Sequence, residues 1–253
     1  MRALIFVLGT AVGSFLNVLV WRSGRRKKWI LERSVCDHCG RRLEWWENIP
    51  IISFLFLRGR CRTCRSPIPW EYPIVELVTG IIFFLINFQF PISNFQFPDL
   101  ILHLTLYTMA VFLIAIFLFD LHYQIIPDWA VAILIGLSGI TQLINFQFFQ
   151  YVLIGFAAAA FFLLLHLITR GRGMGLGDVK FAFFMGFFLG FPKIIFAFYL
   201  AFLTGAMTGV ILILNKRKKF GQRISFGPFL VLATFITWFW GEQLVRCIKT
   251  IMG

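Results

Sequence analysis

Eight stretches of this chain are apolar and, Glu76 apart, free of Asp, Glu, Lys and Arg: 3–21, 74–90, 100–119, 129–149, 152–169, 181–191, 194–214 and 224–241. A helix needs about 20 such residues to cross the hydrocarbon core of a bilayer. So many runs in one chain leave little room for a water-soluble fold. Hydrophobic residues make up 59% of the sequence and charged ones 14%, with 33 Phe, whereas soluble domains carry about a quarter charged residues. Disorder, collagen and secreted disulfide scaffolds are excluded by the same balance. The expectation is an all-α polytopic membrane protein with about eight transmembrane helices. The first run follows only Arg2 and lacks a small-residue cleavage site, so it reads as a retained anchor and not a removed signal. The sixth is short and follows the glycine-rich stretch Gly171–Gly177.

Orientation comes from the positions of Lys and Arg, which favour cytoplasmic loops. Twelve lie in 22–72 (among them Arg25, Arg26, Lys27, Lys28 and Arg33), three at Arg170, Arg172 and Lys180, and five in 216–223. With eight spans all three segments share one side, which leaves Arg2, Lys193, Arg246 and Lys249 for the other. The basic loops are then cytoplasmic and both termini are outside. The net charge of +13 reads as topology and attraction to the lipid surface, with no nucleic acid implied. The tetrapeptide Asn-Phe-Gln-Phe occurs at 87–90, 94–97 and 145–148. Its period is too short and local for a repeat architecture, and the first two copies read as an expanded outer loop.

Four of the five cysteines form two C-x-x-C pairs, Cys36/Cys39 and Cys61/Cys64, with 21 residues between the pairs. Two such knuckles give the four thiolates that tetrahedral zinc requires. Disulfides are the competing explanation, but a cytoplasmic loop is reducing. A complete thiolate set leaves no open position on the metal, so its expected work is to fold a small lobe, a zinc ribbon, that lacks a core of its own. Cys247 reads as a packing residue.

Acidic residues are few enough to weigh singly. Asp120, Asp128 and Asp178 stand at the expected cytoplasmic ends of apolar helices. Carboxylates there are costly, and function is the default reason to keep them. Asp128 follows Pro127 and is placed to N-cap the fourth span, and Asp178 is placed to cap the sixth in the same way. Asp120 ends a helix, where the macrodipole opposes negative charge, and no capping role explains it. Gly173, Gly175 and Gly177 let the backbone at Asp178 approach another helix closely. Two carboxylates brought together cannot both ionise readily and share a proton. One then activates water while the other donates to the developing oxyanion and leaving group.

The segment Gly173-Met-Gly-Leu-Gly-Asp178 resembles the G-x-G-D signature of intramembrane aspartyl proteases. Asp120-Leu-His-Tyr-Gln-Ile-Ile-Pro-Asp128 resembles the companion motif of type IV prepilin peptidases. Gly13–Val18, Asn48–Ile51, the paired knuckles, Tyr72–Leu77 and Ser225–Phe229 are similar to further motifs of that family, in order, over residues 9–230. Asp37 and Glu71 depart from it, standing where Pro and a basic residue are common. The resemblance implies a prepilin leader peptidase of the bacterial inner membrane, active on the cytoplasmic side, with Asp120 and Asp178 catalytic. Its layout would be a first transmembrane helix over 1–21, a cytoplasmic zinc-ribbon loop over 22–73 held by Cys36, Cys39, Cys61 and Cys64, and a seven-helix peptidase domain over 74–253. The implied partners are type IV prepilin or pseudopilin precursors, each with a short basic leader, a Gly before the scissile bond and an apolar helix behind it. Family members with a large first loop also N-methylate the new amino terminus, which implies S-adenosylmethionine as well as structural zinc. No phosphate-loop pattern accompanies this, because Gly171–Gly177 lacks the strand context and spacing.

Two readings of other classes explain less. A proton-coupled transporter would place its acids near the bilayer midplane on repeated segments, whereas these cluster towards one face. A non-enzymatic zinc-ribbon adaptor would account for the cysteines and leave Asp120 and Asp178 without a role.

Overall fold

The computed structural model describes residues 2–23, 34–90, 97–144, 148–171, 173–215 and 225–252. The basic residues Arg25, Arg26, Lys27, Lys28, Arg33, Arg172, Lys216, Arg217, Lys218, Lys219 and Arg223 lie outside the described residues. So do most of the second and third Asn-Phe-Gln-Phe copies. Among the described residues the long helices are α1 (Arg2–Ser23), then α3 (Glu71–Gln89), α4 (Phe97–Tyr123), α5 (Asp128–Ile144), α6 (Phe148–Ile168), α7 (Leu176–Leu189), α8 (Lys193–Leu214) and α9 (Gly227–Met252). Between α1 and α3 a 3-10 turn (Trp45–Asn48) precedes the short α2 (Ile52–Phe56). Each apolar run thus holds one helix, and the protein is an all-α polytopic membrane protein. Six of the helices are long and apolar enough to cross a membrane; α5, with 17 residues, and α7, with 14, are shorter. The first Asn-Phe-Gln-Phe copy differs from its expected loop position: Asn87 is buried in the last turns of α3.

The chain divides into two compact units, Met1–Val111 and Phe112–Gly253, and the division falls within α4. In the first unit α1 packs against α3. Lipid offers no hydrophobic drive to pair two helices, so close backbone approach must supply the attraction. Gly9 and Gly13 face Gly80 and Glu76 so closely that a Cβ at either glycine would lie 2.8 Å from the opposing Cα.

The second unit is built round α7, which packs against α5, α6, α8 and α9. Its Phe181, Ala182, Phe184 and Met185 are fully buried, as suits a helix that is apolar on all sides. Gly186 permits a close backbone approach to α6, since a Cβ there would meet the Ile154 carbonyl at 2.7 Å and the Gly155 Cα at 2.9 Å. Phe162 of α6 fills the space towards α8 and α9, with its ring 4.9 Å from Phe198 and 6.3 Å from Phe226. On α6 and α8 large apolar side chains such as Phe156, Leu164, Tyr199 and Met207 remain exposed. Contiguous apolar surface on that scale is what lipid covers.

Candidate active site and candidate metal centre

Asp120 lies in the last turn of α4, which ends as Gln124 takes a left-handed conformation (φ +55°) and donates its N–H to the Asp120 carbonyl. Asp178 lies in the first turn of α7. Its carboxylate accepts the Gly175 N–H at 2.8 Å, half of a capping box, so its place at a helix start is also a capping place. The two carboxylates come from segments 58 positions apart in sequence and line one cavity of about 360 Å³. Both are buried, at 5% and 8% exposure, where an unpaired charge would be expensive.

Asp120 is held from the start of α9. The Ser225 hydroxyl donates to its carboxylate and, at 2.9 Å, to its carbonyl, and the Gly227 N–H also donates to the carboxylate. A side chain at Gly227 would collide with that carboxylate, so glycine is required by the close approach. Ser225–Phe229 was visible in the sequence as a motif, but its partner is 105 positions away and nothing local announced it. His166, at the end of α6, had no sequence signal at all. Its Nδ1 lies 2.7 Å from the Met174 carbonyl and ties the glycine segment before Asp178 to α6.

Asp128 departs from the expected N-cap. It is the first residue of α5, where the backbone turn is closed by the Pro127 carbonyl accepting from Ala130 and Val131. The Asp128 carboxylate instead takes the Lys180 ammonium at 2.8 Å. Both side chains are more than half exposed, and pairs of this kind contribute about 0–1 kcal/mol. Cys247, expected as a packing residue, is exposed.

The cysteines meet as the spacing predicts. Each knuckle is a tight turn closed by the same backbone bonds: Gly40 N–H to Cys36 O and Cys36 N–H to Arg41 O in one, Arg65 N–H to Cys61 O and Cys61 N–H to Ser66 O in the other. Both turns need a left-handed residue just after the second cysteine, supplied by Gly40 (φ +69°) and Arg65 (φ +55°). The four sulfurs lie within 4.8 Å of one another, with Cys36 and Cys64 3.8 Å apart. Tetrahedral zinc with bonds of about 2.3 Å sets sulfurs about 3.8 Å apart, so the donor set fits that ion. Desolvation opposes ionisation of Cys36, but the N–H groups of Cys39 and His38 and the neighbouring sulfurs outweigh it and lower its pKa to about 6. At Cys39 the Arg41 N–H favours the thiolate, but desolvation and the sulfurs of Cys36, Cys64 and Cys61 push its pKa up to about 11. Sulfurs so crowded hold their full charge only when a cation joins them. Beside them, burial would raise Glu47, but the Glu44 N–H and the Arg41 guanidinium hold its carboxyl below the usual range.

Two buried carboxylates from distant segments, lining one cavity at the ends of apolar helices, are the arrangement that defines intramembrane aspartyl peptidases as a class. Residues 7–90 match the Bacterial Peptidase A24 N-terminal domain, and residues 107–210 match the Type IV leader peptidase family. A Prepilin leader peptidase/N-methyltransferase of Bacillus subtilis (strain 168) is 32% identical over 256 residues, covering 100% of both chains. One of Pseudomonas aeruginosa is 30% identical over 276 residues, covering 98% of this chain and 93% of that one. No solved structure matches the chain. The chain belongs to the type IV prepilin leader peptidase family.

Proposed function

We propose that this protein is a prepilin leader peptidase and N-methyltransferase, acting at the cytoplasmic face of the bacterial inner membrane on type IV prepilin or pseudopilin precursors. The observation that carries the reading is the shared cavity of Asp120 and Asp178. In the proposed reaction a water sits between the two carboxyl groups, which hold one proton between them. The ionised member takes a proton from the water as its oxygen attacks the scissile carbonyl carbon. The protonated member donates to the carbonyl oxygen, and collapse of the tetrahedral adduct passes a proton to the departing amine. Ser225 and Gly227 orient Asp120, and Gly175 orients Asp178.

Cys36, Cys39, Cys61 and Cys64 are the zinc ligands in this reading. The metal supplies a cross-link that folds the lobe and, with its coordination closed, no reaction step. The N-methyl transfer rests on the names of the relatives, and its donor would be S-adenosylmethionine. The cytoplasmic assignment rests on the basic segments 22–72 and 216–223, which favour that side. The test uses purified protein in detergent and a synthetic peptide with a basic leader, a Gly and an apolar helical segment. Mass spectrometry should find one cut, after the Gly; an intact peptide beside zinc-loaded, folded protein would overturn the reading.

A further inference from the structure

Cleavage by Asp120 and Asp178 leaves a second and larger cavity, of about 610 Å³, without a task. It lies wholly within Met1–Val111. Its wall includes Ser14, Asn17 and Trp21 of α1, Tyr72 and Glu76 of α3, and Arg41 of the cysteine lobe. That volume lies within the range of small-molecule sites, about 300–1,000 Å³.

Three features of the wall exceed what packing requires. Glu76 is a charged residue in an apolar helix, 8% exposed, and such residues are kept for function by default. Its carboxylate accepts the Ile51 N–H at 2.7 Å and the Ser14 hydroxyl. Ile51 is held at φ +60°, a conformation β-branched residues rarely adopt and one that gathers at functional sites. Next, the rings of Trp21 and Tyr72 lie 6.3 Å apart and inclined at 40°, offering aromatic faces that attract a cation or stack on a flat ring. Finally, Arg41 donates from one terminal nitrogen to the buried Glu47, while its Nε is buried with no acceptor among the described residues. That nitrogen is a donor suited to a carboxylate.

A purine, a cationic sulfur and a carboxylate occur together in an adenosyl sulfonium. We propose that this cavity binds S-adenosylmethionine, and that Glu76 is the base for the amine to be methylated; the proposal rests on the N-methylation half of the reading above. The placement suits the acceptor. The new amino terminus heads an apolar helix that lies in the bilayer, and the cavity is lined by residues of two membrane-crossing helices, α1 and α3. The acceptor ammonium gives a proton to the Glu76 carboxylate and becomes a neutral amine. Its nitrogen lone pair forms a bond to the methyl carbon as the carbon–sulfur bond breaks. The bonding pair stays on sulfur, and the products are a secondary ammonium and a neutral thioether.

The test is equilibrium dialysis of radiolabelled S-adenosylmethionine against full-length, zinc-loaded protein in detergent, with zinc content and melting temperature of every variant as fold controls. One equivalent should bind, and Trp21→Leu and Tyr72→Leu should each weaken binding about tenfold or more. Glu76→Gln still offers an oxygen to the Ile51 N–H. It should bind the donor within about threefold of wild type, yet methylate a cleaved peptide about a hundredfold more slowly. Its residual rate should climb as the pH approaches the ordinary amino-terminal pKa of about 8. Donor binding unchanged by both aromatic substitutions would overturn the site, and wild-type methylation by Glu76→Gln would overturn its role. Wild-type protein that cleaves prepilin but binds no donor would remove the N-methylation reading together with this proposal, leaving the peptidase intact.

Discussion

Asp120 and Asp178 reach their cavity from opposite kinds of helix terminus, one in the last turn of α4 and the other in the first turn of α7. The macrodipole favours a carboxylate at the start of α7 and opposes one at the end of α4. The Ser225 hydroxyl and Gly227 N–H offset the second effect locally. Asp120→Asn and Asp178→Asn should each lower the cleavage rate about a thousandfold or more, measured on a prepilin peptide with protein shown to be membrane-inserted. The double variant should be scarcely worse than either single one, because the pair works as a unit; substantial turnover by one single variant would count against it. A hydrogen bond to a charged group contributes about 1.5–3 kcal/mol, so Ser225→Ala should slow cleavage about tenfold or more while leaving membrane insertion unchanged. The aspartates were legible because acidic residues in apolar helices are rare and each demands a reason. Ser225 was legible only as part of a motif, since a hydroxyl is unremarkable until its partner is known. Asp128 was misread because a lysine one turn into another helix offered its carboxylate a better partner than its own backbone.

At the scale of elements, α7 is where a length rule runs out. Fourteen residues rise about 21 Å, well short of a hydrocarbon core of about 30 Å. The rule assumes that a helix meets lipid along its length, whereas α7 is enclosed by four other helices and Gln142 of α5 donates to the Phe187 and Phe188 carbonyls near its end. Gly186→Ala should therefore destabilise the second unit by about 1–3 kcal/mol, the usual cost of overpacking, read as a lowered melting temperature in detergent. The cysteine lobe was more legible, because metal geometry dictates ligand spacing more tightly than lipid dictates helix length. Purified protein should carry about one zinc per chain, and Cys36→Ser with Cys61→Ser should release it and unfold the lobe. Zinc binding has a pH sign that follows from the thiols. With Cys36 at about 6 and Cys39 at about 11, ion uptake at neutral pH must displace the Cys39 proton. Apparent affinity should then rise with pH between those limits and fall as acid protonates Cys36. Calorimetry in buffers of different ionisation enthalpy reads the displaced protons, and an affinity flat across that range would exclude thiolate ligation.

For the whole molecule the open question is which face of the membrane each helix end meets, and the second unit supplies markers for both faces. Lys180, in the second turn of α7, pairs with Asp128 at the start of α5. Lys193, beyond the other end of α7, pairs with Glu242 of α9 at 3.3 Å. A helix of α7's direction separates the two pairs, so they report opposite ends of this unit. Within this unit the basic residues Arg170, Lys180 and those of 216–223 lead us to expect one side for Lys180, and Lys193 and Arg246 lead us to expect the other. The chain carries its own probe for the second side. Cys247 is exposed one residue beyond Arg246, whose side chain is 76% exposed, and it is the cysteine that zinc does not claim in the proposed function. A membrane-impermeant maleimide added to spheroplasts should label Cys247 in the wild-type protein and fail with Cys247→Ser. In inverted membrane vesicles the same reagent should leave Cys247 unlabelled and label Lys180→Cys. The proposed function puts cleavage at the cytoplasmic face, and Asp120, Asp178 and Lys180 line one cavity, so the dyad is expected to share that side with Lys180. Labelling of Cys247 from the cytoplasmic side alone would turn the second unit over, place Asp120 and Asp178 at the outer face, and remove the substrate from their reach.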